Sequence, residues 1–131
     1  MLGEVVYELR AENSARLPFI NGRLMHAVFF KILNENSPEL GNFIHNELNL
    51  KPFTVSFLDP CKNLENVSEH WLVSCGDKFF WRITGLNAQI LQVAQAVPVD
   101  YKIQAGALIL SVKKIQADVI TIEELISQVK N

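Results

Sequence analysis

Hydrophobic periodicity switches repeatedly along this chain between the two-residue repeat of a strand and the 3.6-residue repeat of a helix. The order of those switches limits the folds open to it. Residues 3–10 alternate, with Val5, Tyr7 and Leu9 on one side and Glu4, Glu8 and Arg10 on the other, which predicts a half-buried strand. The next stretch, AENSARLPFINGR, reads as loop, because Pro18 biases Leu17 away from helix and Asn21-Gly22 is turn chemistry. Residues 23–33 then take up helical spacing. Leu24, Met25, Val28, Phe29, Ile32 and Leu33 share one side, and Arg23, His26, Ala27, Phe30 and Lys31 share the other. A large aromatic on that second side suits a stacking or partner surface.

Ser37 and Pro38 fit the N-cap and first position of a second helix, which carries Leu40, Phe43 and Ile44 on one stripe with His45 beside it. Residues 52–58 alternate again, Phe53, Val55 and Phe57 against Thr54, Ser56 and Leu58, and Asp59-Pro60 ends that strand. HWLVSCGDKFFWRIT predicts a hairpin turning at Gly76-Asp77. Asn87 caps a helix running to about Val97. Residues 101–116 read as one long strand with a bulge at Gly106, and Thr121 with Glu124 forms a capping box for a last helix.

The element order is β-α-α-β-β-β-α-β-α. With the early helices taken as one crossover, it approaches βαββαβ. The expected class is α+β: a ferredoxin-like (RRM-like) fold, with a four-stranded antiparallel sheet backed by helices. Residues 1–118 form that domain, and 119–131 form a helix with an apolar face and nothing after it to pack against.

Composition narrows the function classes. At 131 residues, half of them apolar, the chain supports one domain with a core. A net charge of −2 argues against non-specific polyanion binding, though not against a local basic patch. No apolar run is long enough for a membrane span, and nothing addresses the chain out of the cytoplasm. Cys61 and Cys75 fit no zinc pattern and read as free thiols. There is no P-loop, dinucleotide fingerprint or cluster of metal ligands, so neither cofactor nor metal is expected.

One run carries more. LPFINGRLMHAVFFKIL, followed by SPELGNFIH and KPFTVSFL, resembles the N-terminal half of the CRISPR-associated repeat-processing endoribonucleases. These are the sixth Cas family, within the RAMP superfamily. FFWRITGLNAQI resembles that family's second strand pair entering its second helix, and ITIEELI resembles the link to its second ferredoxin-like domain. The resemblance implies a prokaryotic, cytoplasmic, metal-independent nuclease. Its substrate is CRISPR repeat RNA, and a 2′-hydroxyl attacks the adjacent phosphate.

Such a reaction needs a base, an acid and a cation against the developing charge. His45 falls where several members carry a catalytic histidine, and Lys51 where they carry a catalytic lysine. The tyrosine of that set falls at Phe30, which has no hydroxyl and cannot move a proton. Other members place the histidine in the first helix, where His26 matches. The expected catalytic set is therefore His26, His45 and Lys51, with Arg23, Phe30 and Lys31 on the RNA-binding face. The cluster Phe79, Phe80 and Trp81 with Arg82 invites comparison with RNA-stacking sheet residues, but Phe79 and Trp81 read more strongly as core and the run matches the pattern of RNA-recognition strands poorly.

The family's glycine-rich loop has no counterpart among this chain's six glycines. The chain therefore reads as an N-terminal piece, expected to bind RNA weakly and cleave little alone. The alternative is a non-catalytic RNA-binding RAMP subunit of a CRISPR effector complex. Other Cas proteins and a homodimer are the further partners weighed.

Overall fold

A computed structural model describes residues 2–40, 42, 53–85 and 88–120. In chain order the elements are β1 (Leu2–Ala11), β2 (Ala15–Pro18), α1 (Gly22–Asn36), β3 (Phe53–Val55), β4 (Asp59–Pro60), β5 (Asn66–Val67), β6 (His70–Val73), β7 (Lys78–Gly85), α2 (Ala88–Gln95), β8 (Lys102–Ala105) and β9 (Leu108–Ile120). The expected second helix falls largely outside the described residues, with residues 38–40 helical; of the expected last helix, 119–131, only 119 and 120 are described, and they end β9 instead.

The fold is mixed α/β around antiparallel strands. Its main sheet has six strands rather than the four expected, in the order β3-β7-β1-β9-β8, with β4 also paired to β7. A second, three-stranded sheet runs β2-β6-β5. The alternation in β1 does what it should: Val5, Tyr7 and Leu9 are fully buried, opposite Ile83, Trp81 and Phe79 of β7. Ile103, Leu108, Leu110 and Val112 extend that face across β8 and β9. Met25, Val28, Phe29, Ile32 and Leu33 of α1 and Ile90, Leu91 and Ala94 of α2 close over it. The Tyr7 hydroxyl donates to the Ala94 carbonyl, tying the central strand to α2. Burial, with the nearby Tyr101 second, holds that phenol's pKa far above its usual value.

Four local expectations are corrected. Residues 15–18 form a strand rather than loop, because Ala15–Pro18 pairs with β6. Pro18 sits at its end, where a missing N–H matters least.

Residues 70–84 do not form a hairpin. β6 pairs with β2 and β5, while β7 pairs with β1, β3 and β4. The intervening turn is fastened to the end of β1 instead. The Gly76 N–H donates to the Ala11 carbonyl and the Ala11 N–H to the Asp77 carbonyl, each at 2.8 Å. The Asp77 carboxylate accepts the Ser74 N–H at 2.8 Å, and Gly76 adopts φ +96°. The chain thus leaves one sheet and enters the other.

Residues 101–116 are two strands. Ala105 pairs with Leu108 across a two-residue loop, with Gly106 at φ +64°. Gly106 makes a hairpin turn, not a bulge. The irregularity in β9 lies later, where the partner of Glu8 is Lys114 and that of Leu9 is Val112. The extra residue there is Lys113.

The fourth correction concerns residues 53–60. β3 pairs Val55 with Ile83, and β4 pairs Asp59 with Phe80. Three residues, 56–58, therefore face only two, 81 and 82. One extra residue reverses the alternation, so Phe57 is exposed and Leu58 is buried. Pro60 does not merely end the earlier strand, since Asp59–Pro60 is itself a short edge strand. Asn21 stabilises this irregular stretch. Its side chain is buried, its Oδ1 accepts the Leu58 N–H at 2.9 Å, and its Nδ2 donates to the Pro18 carbonyl at 3.0 Å.

Candidate functional site

The candidate residues on α1 divide by depth. Arg23 and Lys31 are exposed, and the Lys31 ammonium stands 4.0 Å from Glu35, one turn along. His26 and Phe30 lie between surface and core. Phe30 is half-buried and packs against the core cluster, which corrects its assignment to the face opposite the core. The cause is α1's position. The helix meets β3, β8 and α2, so more of its circumference is covered than a single stripe.

His26 sits where α1 meets β3. Its imidazole stacks on the Phe53 ring, with centroids 5.0 Å apart and planes 17° apart. The Nε2 atom is shut off from solvent. Phe53 in turn meets Phe29 edge-on at 5.0 Å, and Phe29 meets Trp81 edge-on at 6.0 Å. Trp81 lies 5.6 Å from Tyr7. The imidazole therefore rests at the outer end of a chain of aromatic rings running through the core. Sequence reading did not single out Phe53 as part of the site. A helix-to-strand contact between residues 26 and 53 leaves no periodic signature.

His45 and Lys51 lie outside the described residues. The structure thus places His26 but not the other two members of the expected catalytic set. In sequence, Lys51 stands two residues before Phe53, the ring on which His26 stacks.

The other face of the main sheet is open. Phe80 and Phe57 project there and are roughly half exposed, whereas Phe79 and Trp81 are buried as expected. Arg82 pairs with Glu4, and the Lys78 ammonium lies 3.9 Å from Glu8. Basic and acidic groups thus alternate across this face. At the far end of α1, the Tyr101 hydroxyl donates to Glu35. Desolvation, with that hydrogen bond and the Glu35 charge, pushes the Tyr101 pKa up to about 12. Cys61 and Cys75 are free and exposed. Among the described residues no helix is long and apolar enough to cross a membrane, and no group of three His, Cys, Asp or Glu could hold a metal ion.

Comparison with known proteins places this arrangement. The family description "CRISPR Cas6 N-terminal domain" matches residues 1–117. A solved structure titled "CRISPR associated protein Cas6" superposes with a TM-score of 0.67 at 19% identity, covering 93% of this chain and 51% of that one. A second, "Cas6 (TTHB231) product complex", superposes at 0.62 with 26% identity, covering 95% of this chain and 47% of that one. The chain thus spans about half the length of the solved structures it matches. No curated protein sequence matches it.

Proposed function

Because this chain belongs to the family of CRISPR Cas6 N-terminal domains, we propose that it is the N-terminal half of an endoribonuclease that cuts CRISPR repeat RNA without a metal. The family match over residues 1–117 carries this reading. In it, β1, α1, β3, β7, α2 and β9 correspond to the six elements of a ferredoxin-like domain, since β3-β7-β1-β9 is that fold's strand order. Residues 1–118 are the domain, and residues 119–131 lead towards a second one. The host compartment is the prokaryotic cytoplasm, and other Cas proteins or a second copy are its further partners.

The reaction follows from the chemistry of a ribose beside a phosphate. A base removes the 2′-hydroxyl proton, and that oxygen attacks the adjacent phosphorus. The P–O5′ bond breaks, and an acid protonates the leaving oxygen. The products are a 2′,3′-cyclic phosphate and a 5′-hydroxyl. Imidazole suits both proton transfers near neutrality. His45 and His26 are assigned to them, and the Lys51 ammonium to the charge that builds on the phosphorane. The nearness of Lys51 in sequence to the ring under His26 supports their acting together. Phe30, which lacks a hydroxyl and is half-buried, takes no proton-transfer role. Arg23 and Lys31 are exposed on the same helix and suit phosphate contacts.

A second reading draws on Phe30 and on the shielded Nε2 of His26: an RNA-binding subunit without catalysis. One experiment separates the two. His26→Ala, His45→Ala and Lys51→Ala are introduced into a polypeptide of the relatives' full length, and a labelled repeat RNA is incubated with each in excess chelator. Loss of cleavage by about 10²-fold or more with repeat binding kept supports the enzyme. Cleavage that survives all three substitutions sinks it.

A further inference from the structure

Among the described residues, the most exposed aromatic rings are those of Phe57 and Phe80. Phe57 from the β3–β4 connection, Phe80 from β7 and Trp71 from β6 line a hollow of about 310 Å³, together with Val6, Asp59 and Arg82. Three separate elements deliver these rings. Phe57 reaches the hollow only because the extra residue between β3 and β4 turns it outward. A side of the Phe57 ring rests over Gly22, at the start of α1. A Cβ built there would stand 2.6 Å from the ring, so the ring's place depends on the absence of a side chain at position 22.

Resting on the RNA-processing reading, we infer that this hollow takes one unpaired nucleobase of a single-stranded RNA segment, stacked against Phe80 and Phe57. It is a site apart from the α1 residues assigned to cleavage. Two observations select this occupant. The hollow's lining combines several aromatic rings with the polar Arg82 and Asp59, the composition that holds a planar heterocycle. A protein partner would need a surface of about 1,200 Å² or more, of which a hollow this size is a small part. The local charges also decide what part of the RNA touches it. Arg82, the one basic residue in the hollow's described lining, is matched by Glu4, so the hollow itself offers little charge to a phosphate. The contact is to a base and not to the backbone.

That distinction sets the test. The full chain is titrated with a fluorescein-labelled single-stranded RNA of mixed sequence, over a range of salt concentrations. The comparison variants are Phe57→Leu, Phe80→Leu and Phe80→Tyr. Each leucine variant is expected to bind about ten-fold more weakly, with Phe80→Tyr close to the parent protein. The slope of log affinity against log salt is expected to stay unchanged, because no phosphate contact is lost. Both positions are exposed, and circular dichroism checks that each variant folds. Unchanged affinity in both leucine variants overturns the inference and leaves the face to a protein partner. A reduced salt slope overturns it too, since the contact would then be to phosphate. If the parent chain binds no RNA even at low salt, the RNA reading falls with it. If the leucine variants bind normally while His45→Ala abolishes cleavage in a polypeptide of the relatives' full length, only the base site falls.

Discussion

Asn21 shows how much one side chain can organise. Its place in an Asn-Gly pair reads from sequence as a turn, whereas in the fold Asn21 immediately precedes α1 and Gly22 is that helix's first residue. What the pair does not reveal is that the amide reaches 37 residues ahead in the chain to hold the Leu58 N–H. Asn21→Ala leaves that buried donor without its acceptor, and Pro18 loses a bond as well. A loss of about 2 kcal/mol is expected, read as a lower urea midpoint with an unchanged slope. A change under about 0.5 kcal/mol would show that water satisfies Leu58 instead. The same scale explains the candidate site. His26 was singled out by the family resemblance and by its place beside Arg23 and Phe30, on the side of the helix opposite the apolar stripe. Phe53 was not, because its stacking partner lies 27 positions earlier.

Among the elements, β1, α1, α2 and the inward face of β7 could be read from periodicity alone, since each buries one side against the common core. The errors gathered where a turn decides the partner. Gly76-Asp77 carries the chemistry of a hairpin, yet its bonds to Ala11 send the two arms into different sheets. The true hairpin between β5 and β6 gave no signal, because Ser68 and Glu69 occupy its turn. Both adopt positive φ, 49° and 62°, which side-chain-bearing residues reach at a cost. The double substitution Ser68→Asn with Glu69→Gly supplies the Asn-Gly pair that this backbone favours and relieves that strain. Stability is expected to rise by about 1 kcal/mol and the melting temperature by several degrees. Calorimetry checks it, and an unchanged or lower melting temperature would count against strain at this turn.

For the molecule as a whole, pH exposes how the layers are fastened. An unfolded tyrosine ionises near 10, whereas Tyr101 in the fold keeps its proton to about 12. Between those values unfolding releases a proton, so stability falls as pH rises from 10 to 12. Tyr7, also held protonated by burial, adds a loss of the same sign. Tyr101→Phe removes one contribution, and its urea midpoint is expected to decline less steeply over that window. Parallel declines in parent and variant would show that Tyr101 is not fastened as described. At the acid end, the Ser111 hydroxyl holds the Glu12 pKa down and Lys113 holds that of Asp100 down. Stability from these groups is present above the carboxylate range and is lost as pH falls through it.

The three residues opposite two between β3 and β4 carry a further consequence. Which side chains look outward along this edge is set there by a count, not by chemistry. Deleting a single residue from 56–58 restores plain alternation and so changes which side chain faces solvent, with every neighbouring letter intact. Along this border a change of length therefore outweighs a substitution, and two sequences that differ by one residue can present opposite surfaces.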